Sequence, residues 1–244
     1  FRPFGSPRAW MERDFAKHPN LADGSLHVPN HALALLWWDA EEPAAPLTPD
    51  TAPTASCSAG TEVANFRTSW SADAIYMNVQ GGGRTHAAAG HAHADCGHFS
   101  IVAHGEYLAI DTGRYNSDED QHNVVLVDGR CYQPNPAWGW SLRQGRLHGF
   151  QRHALLDYVA ADAAAIKDCI WADRHLLFVR LRDDDAYVVV IDNINKDNQK
   201  HTYWWQLHAL PDSRVWIAGD WQASIQAAQA RLDVHFVIPP ASDF

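Results

Sequence analysis

Basic residues are scarce in this chain. Nineteen Lys and Arg stand against 29 Asp and Glu, a formal net charge of −10. A nucleic-acid partner needs a basic footprint that this balance does not supply. An anionic sugar polymer is not excluded, because a local basic cleft can sit on an acidic protein. Cysteine is also sparse: Cys57, Cys96, Cys131 and Cys169 show no CxxC or CxxH spacing. Buried or free thiols are therefore favoured over a disulfide pair. No run of about 18 apolar residues occurs, so no membrane-spanning helix is expected. The chain opens on Phe1 without a basic stretch followed by an apolar one, so any secretory signal has been removed or lies outside these residues.

Histidine and tryptophan are plentiful, with 15 and 11 residues in a chain of 244. That length suffices for one large β domain or two small ones. Any single Trp is first a large core residue with one polar handle, although Trp in a loop can stack on a sugar ring. Residues 7–18 and 30–38 read as short helices with Leu, Trp and Phe on one side. The Pro-, Ala-, Ser- and Thr-rich run that follows lacks periodicity and reads as a linker. The expected organisation is a helical segment over 1–45, a linker over 46–61 and a β domain over 62–244. From Glu62 onward, ten short runs rich in β-branched and aromatic residues alternate with Asp-Gly and Asn/Asp-rich turns. This pattern predicts a mainly β chain, a large antiparallel sandwich. The strand pattern at 232–238 implies a domain that continues beyond Phe244.

Three constellations carry chemistry. The first is Gly90-His91-Ala92-His93-Ala94-Asp95, followed by a hairpin that returns through Asp111. On a strand, His91, His93 and Asp95 would share a face, and the hairpin can bring Asp111 beside His93. Imidazole plus carboxylate suits Zn²⁺ better than Ca²⁺ or Mg²⁺. Two His on one strand face are also common as surface or hydrogen-bonded core residues. The second is Asp111-Thr112-Gly113-Arg114-Tyr115, leading to His122-Asn123. Tyr115 can exchange a proton if a cation such as Arg114 lowers its pKa, or it can pack under its own loop. The third is the loop from Cys131 to Phe150, with Trp138, Trp140, Arg143, Arg146 and His148. Aromatic faces beside Arg suit ring stacking and bidentate binding of carboxylate or sulfate.

Together the blocks FRTSW, GHAHADCGHFSIVAHGEYLAIDTGRY, HNVVLVDG and RHLLFVRL…DAYVVVIDNI…WWQLH resemble the heparinase II/III-like polysaccharide lyases over about residues 60–240. The resemblance implies the antiparallel sandwich of a two-part enzyme, with the helical pieces as the tail of an α/α toroid and the sugar polymer bound between the parts. It implies a largely structural Zn²⁺ held by His93, Asp111 and His148, with His153 a less favoured substitute. It implies that His91 projects into the cleft against the reacting sugar and that Tyr115 and His122 lie in the cleft-facing loop. His91 and Tyr115 are accordingly the expected catalytic residues, and His122, Trp138, Trp140 and Arg143 the expected substrate contacts. Such lyases remove the C5 proton of a uronic acid and expel the 4-linked sugar. A neutral or cationic donor must offset the uronate's own charge before that carbanion can form.

The implied partners are an acidic polysaccharide and the toroid domain of the same protein; the implied location is periplasmic or secreted. The principal neutralising Asn or His and a catalytic Tyr normally come from the toroid, most of which these residues lack. The chain is therefore expected to supply one wall of a site rather than to catalyse elimination alone. A non-catalytic module binding carbohydrate through Trp138, Trp140 and Arg143, or a metal-stabilised assembly sandwich, are the alternatives.

Overall fold

The structure is a computed structural model that describes residues 48, 52–82, 93–113, 116, 118–131, 145–182 and 184–237. The chain divides into two compact units, Phe1–Pro53 and Thr54–Phe244. The expected helices at 7–18 and 30–38 lie outside the described residues, as do His91, Tyr115, Trp138, Trp140 and Arg143.

Among the described residues, every strand pairing of the second unit is antiparallel. Strands β1 (Ala55–Ser58), β2 (Val63–Arg67), β3 (Tyr76–Gln80), β4 (Phe99–Ala103) and β5 (Glu106–Ala109) form a five-stranded meander in chain order. Strands β7 (Arg146–Arg152), β8 (Leu156–Asp162), β9 (Trp171–Arg182) and β10 (Asp185–Asn195) form a second sheet, with a four-residue helix α1 (Ala164–Lys167) between β8 and β9. β6 (Val125–Val127) pairs with β11 (Tyr203–Trp205), and β12 (Arg214–Ile217), β13 (Gln222–Gln226) and β14 (Arg231–His235) make a small third sheet.

Period-2 alternation explains which faces meet. In β2, β3 and β4 every second residue is buried, giving Ala64, Phe66, Met77, Val79, Phe99 and Ile101 on one face. In β8 and β9 the same alternation turns Val159, Leu176 and Phe178 inward, and the two sets share one core. The rings of Phe66 and Phe178 stack at 6.1 Å between centroids. Each fully buried side chain of this size contributes roughly 1.5–3 kcal/mol. Face-to-face sheets with interleaved apolar rows are the sandwich that the sequence pattern implies.

The run at 46–61 is not linker throughout. Ala55–Ser58 pairs with β2 in register Ala55↔Phe66 to Ser58↔Val63. Ala, Ser and Cys have little intrinsic strand preference, so this edge strand owes its form to pairing and to Ala55 seating in the core. The β4–β5 hairpin closes through His104-Gly105, both at positive φ, between the paired residues Ala103 and Glu106. That is the two-residue turn whose twist matches its strands, and it directs the chain back toward the segment ahead of β4.

Candidate functional site

The candidate site forms at one end of the first sheet, where the chain enters β4, leaves β5 and enters β6. His93 to Gly97 is not a strand. Gly97 has φ +80°, and the His98 N–H closes a turn onto Asp95 O at 2.9 Å. The shared strand face expected for His91, His93 and Asp95 is therefore absent at Asp95, since the chain bends before β4 begins. The hairpin return does bring Asp111 to His93: Nδ1 and Oδ2 stand 3.6 Å apart.

The third group there is His122, not His148. His122 Nε2 lies 3.2 Å from Asp111 Oδ2 and 3.1 Å from His93 Nδ1. Among the described residues these three form the one His/Cys/Asp/Glu group close enough to share a metal ion. A tetrahedral ion with ligand bonds of about 2.0–2.2 Å spaces its ligand atoms about 3.3–3.6 Å apart. The three edges match that spacing within a few tenths of an ångström.

Hydrogen-bond roles sharpen the match. Asp118 O can only accept, so His122 Nδ1, 2.8 Å away, carries a proton and donates it. In the neutral ring Nε2 is then a bare lone pair aimed at a carboxylate oxygen. Asp111 Oδ1 accepts the Gly113 N–H at 2.7 Å, which leaves Oδ2 as the inward atom. Two acceptors facing each other in this way repel unless a proton or a cation lies between them: a proton on His122, an N–H of His93 turned toward them, or a metal ion. Burial would raise the Asp111 pKa, but the His122 hydrogen bond, the Gly113 N–H and nearby histidine charge outweigh it and hold the carboxyl far below its ordinary range. Burial likewise lowers His122, and the hydrogen bond to Asp111 with the charges of Asp95 and Asp111 reverses it, so the ring is raised. Asp95 is pushed up to about 6 by burial, against the pull of His122 and His93.

The loops carrying these groups are laced together. Asn123, fully buried, donates from Nδ2 to Phe99 O at 2.8 Å and to Ile110 O at 3.1 Å, and its Oδ1 accepts the His208 N–H at 2.7 Å. One side chain thus fixes the start of β4, the residue before Asp111 and the residue after His122. Thr112 Oγ1 adds a bond to Gln121 O at 3.0 Å. Asn123 N–H donates to His98 Nδ1 at 3.0 Å, so the neutral His98 ring carries its proton on Nε2, which finds no partner among the described residues. Burial and then the charge of His122 push His98 down to about 3. Beneath the 3₁₀ turn Glu119–Gln121 that leads into His122, the buried Lys167 ammonium pairs with Glu119 and donates to Val125 O at 2.8 Å.

Two expectations are corrected here. His148 sits on the outer face of β7, 3.3 Å from Asp173 and away from the cluster, because Leu147 takes the inward position. His122, expected to contact sugar, is fully buried with both ring nitrogens engaged. His153 is exposed, with Gln151 Oε1 3.5 Å from its Nε2.

Residues 57–238 match the family model described as "Heparinase II/III-like, C-terminal". No curated protein matches the chain. Among solved structures, a heparinase III is 15% identical at a TM-score of 0.54, covering 72% of this chain and 28% of its own. The heparan sulfate lyase HepC from Pedobacter heparinus is 14% identical at 0.54, covering 90% and 32%. The heparinase III-BT4657 gene product is 16% identical at 0.57, covering 91% and 34%. Likeness at such identities establishes the fold, and the chain spans about a third or less of each of these structures. With the family match extending from β1 to the end of β14, the chain belongs to the heparinase II/III-like C-terminal family.

Proposed function

We propose that the chain is the β-sandwich part of a polysaccharide lyase that cleaves uronic-acid-containing polysaccharide by β-elimination, and that His93, Asp111 and His122 hold a structural zinc ion. The observation that carries the metal reading is the convergence of three potential ligand atoms at tetrahedral edge lengths, with Asp118 O fixing the tautomer of His122. Two imidazoles and one carboxylate are a zinc donor set, and a hydrogen bond behind each ligand is usual for such sites. Family membership supports the lyase reading.

A bound ion would supply the positive charge between the His122 lone pair and the Asp111 carboxylate. The chain's own residues do the rest. His93 lies two residues after His91, and Asp111 four before Tyr115, so pinning His93 and Asp111 anchors the segments that carry both proposed catalytic residues. In this reading His91 contacts the sugar at the reacting uronate, Tyr115 handles its proton, and Trp138, Trp140 and Arg143 bind the chain beside it. The toroid of the same protein supplies the remaining wall and the group that offsets the uronate charge. The periplasm or exterior is the proposed location, where such polymers are met.

Elemental analysis tests the metal: one zinc per chain is expected, lost in Asp111→Asn, and a protein that neither contains nor takes up zinc refutes it. The lyase reading is tested by restoring the adjoining helical segment and following absorbance of the unsaturated product on heparan sulfate, alginate and related uronates. Silence on every uronate polymer, with binding retained, would leave a carbohydrate-binding module instead.

A further inference from the structure

The RHLLFVRL block contains a buried cation that the proposed site does not itself use. Arg174 lies on the inner face of β9 and is 5% exposed. Its guanidinium forks onto Asp192 of β10, Nε to Oδ1 at 2.6 Å and Nη2 to Oδ2 at 3.0 Å. The remaining nitrogen, Nη1, donates to Gly97 O at 3.0 Å and to Asn123 O at 2.6 Å. Gly97 is four residues beyond His93, and Asn123 directly follows His122. One side chain of the second sheet therefore holds both imidazole-bearing loops, the one ahead of β4 and the one ahead of β6, and Asp192 fixes its plane.

We infer that Arg174 is a positioning residue for the His93–Asp111–His122 centre: it sets the separation of the two imidazoles by bridging Gly97 O and Asn123 O. The inference rests on the metal reading above. Charge alone does not explain the arrangement. A planar fork with five donors can pair bidentately on one edge and span two carbonyls on the other, which the compact ammonium of Lys cannot do. The two carbonyls are buried by the same packing, so each needs a donor, and each receives it in a direction that fixes the loop behind it. Asn123 extends the tie to Ile110 and thus to Asp111.

The test compares Arg174→Lys with Arg180→Lys in the full chain. Arg180 is on the same strand and belongs to another buried ion pair, with Asp157, but it donates to Arg67 O and His153 O, remote from the imidazole loops. Both variants are expected to lose thermal stability. Only Arg174→Lys is expected to weaken zinc binding, by roughly 10–100-fold in competition with a chromogenic chelator, the range seen when groups supporting metal ligands are changed. Only Arg174→Lys should also alter the visible spectrum of the Co²⁺-loaded protein, which reports ligand geometry. If Arg174→Lys does not fold, Asp192→Asn, which keeps the guanidinium but loosens its fork, carries the same two expectations in weaker form. Unchanged zinc affinity and Co²⁺ spectrum in a folded Arg174 or Asp192 variant overturn the inference and leave the metal reading standing. Equal loss of zinc affinity in Arg180→Lys also overturns it, by assigning the effect to general stability. A wild-type chain that binds no zinc overturns both.

Discussion

The Arg180–Asp157 pair offers a sharp energetic test of how the two sheets are joined. Asp157 is wholly buried on β8, and its Oδ2 meets Arg180 Nη2, while its Oδ1 has no hydrogen-bond partner among the described residues. Arg180 Nε donates to Arg67 O at 2.9 Å, so the pair fastens β9 of one sheet to β2 of the other. Removing the cation in Arg180→Met leaves the buried carboxylate without its ion-pair partner. Breaking a buried pair from one side costs about 3–5 kcal/mol. In a unit of this size each kcal/mol shifts Tm by roughly 2–4 °C, so a fall of about 6–20 °C is expected.

The double variant Arg180→Met/Asp157→Leu should behave differently. It removes both desolvation penalties, including that of the unpartnered Oδ1, and loses only the hydrogen bonds to Arg67 O and His153 O, worth about 1 kcal/mol each. Its stability is expected to be higher than that of either single variant. Denaturant unfolding of the four proteins, with unchanged m-values, gives the cycle directly. Additive losses, with the double variant at the sum of the singles, would show that the pair is not held as a buried unit.

Other perturbations follow from the same geometry. Saturating zinc at about 100 times its dissociation constant should stabilise the wild type by about 2.7 kcal/mol, or roughly 5–11 °C, and leave Asp111→Asn unmoved; a chelator-insensitive wild-type Tm contradicts this. His201 bridges Asp197 and Asp128 at 2.8 Å on either side, which raises the His and lowers Asp197; Asp128 is lowered first by the Thr202 N–H and then by His201. The His contribution is full below its ordinary pKa and fades as pH rises through the raised value; the carboxylate contributions are full above theirs and fade in acid. The Tm difference between wild type and His201→Gln should therefore peak at about pH 4–6.5 and shrink on both sides, and a difference that grows toward pH 9 contradicts it. Gly145→Ala would place a Cβ 2.5 Å from Gly81 O and 2.1 Å from Cys96 Sγ, so a loss of about 1–3 kcal/mol in equilibrium unfolding is expected, and an unchanged protein would show that the contact relaxes.

What could be read from the residues alone follows from which signals are local. Ten strand runs announce themselves through branched and aromatic residues, and they correspond to β2–β6, β9–β12 and β14. The strands without such runs are β1 and β13, which are polar or Ala-rich, and β7 and β8. β7 is interrupted by Gly149 and a register shift, and β8 carries Ala160 and Ala161 where larger residues would signal. The pairing of His93 with Asp111 was legible because one tight hairpin connects them. His122 was not, because an irregular stretch with a 3₁₀ turn separates it from β5 and no period relates the two. A usable signal existed nonetheless. Leu147 faces the core, so alternation alone sends Arg146 and His148 outward. His-Asn ahead of the apolar run Val124–Val127 marks a buried polar pair that must find partners.

The distribution of hydrogen bonds indicates how metal and fold divide the work. The large core of Phe66, Met77, Phe99, Leu176 and Phe178 lies between the two main sheets, and none of its members is a ligand. Every backbone segment that presents a ligand is tied independently of any ion: Gly97 and Asn123 by Arg174, Ile110 by Asn123, and the turn before His122 by Lys167 through Glu119. The ligand frame is thus held by the sandwich, unlike a small metal domain that folds only around its ion. What the sandwich leaves open is local, namely the charge between His122 Nε2, His93 Nδ1 and the Asp111 carboxylate. A cation placed there balances that charge without reshaping the frame. If His93, Asp111 and His122 hold zinc as proposed, its affinity depends on how firmly Arg174 of β9 grips the loops ahead of β4 and β6.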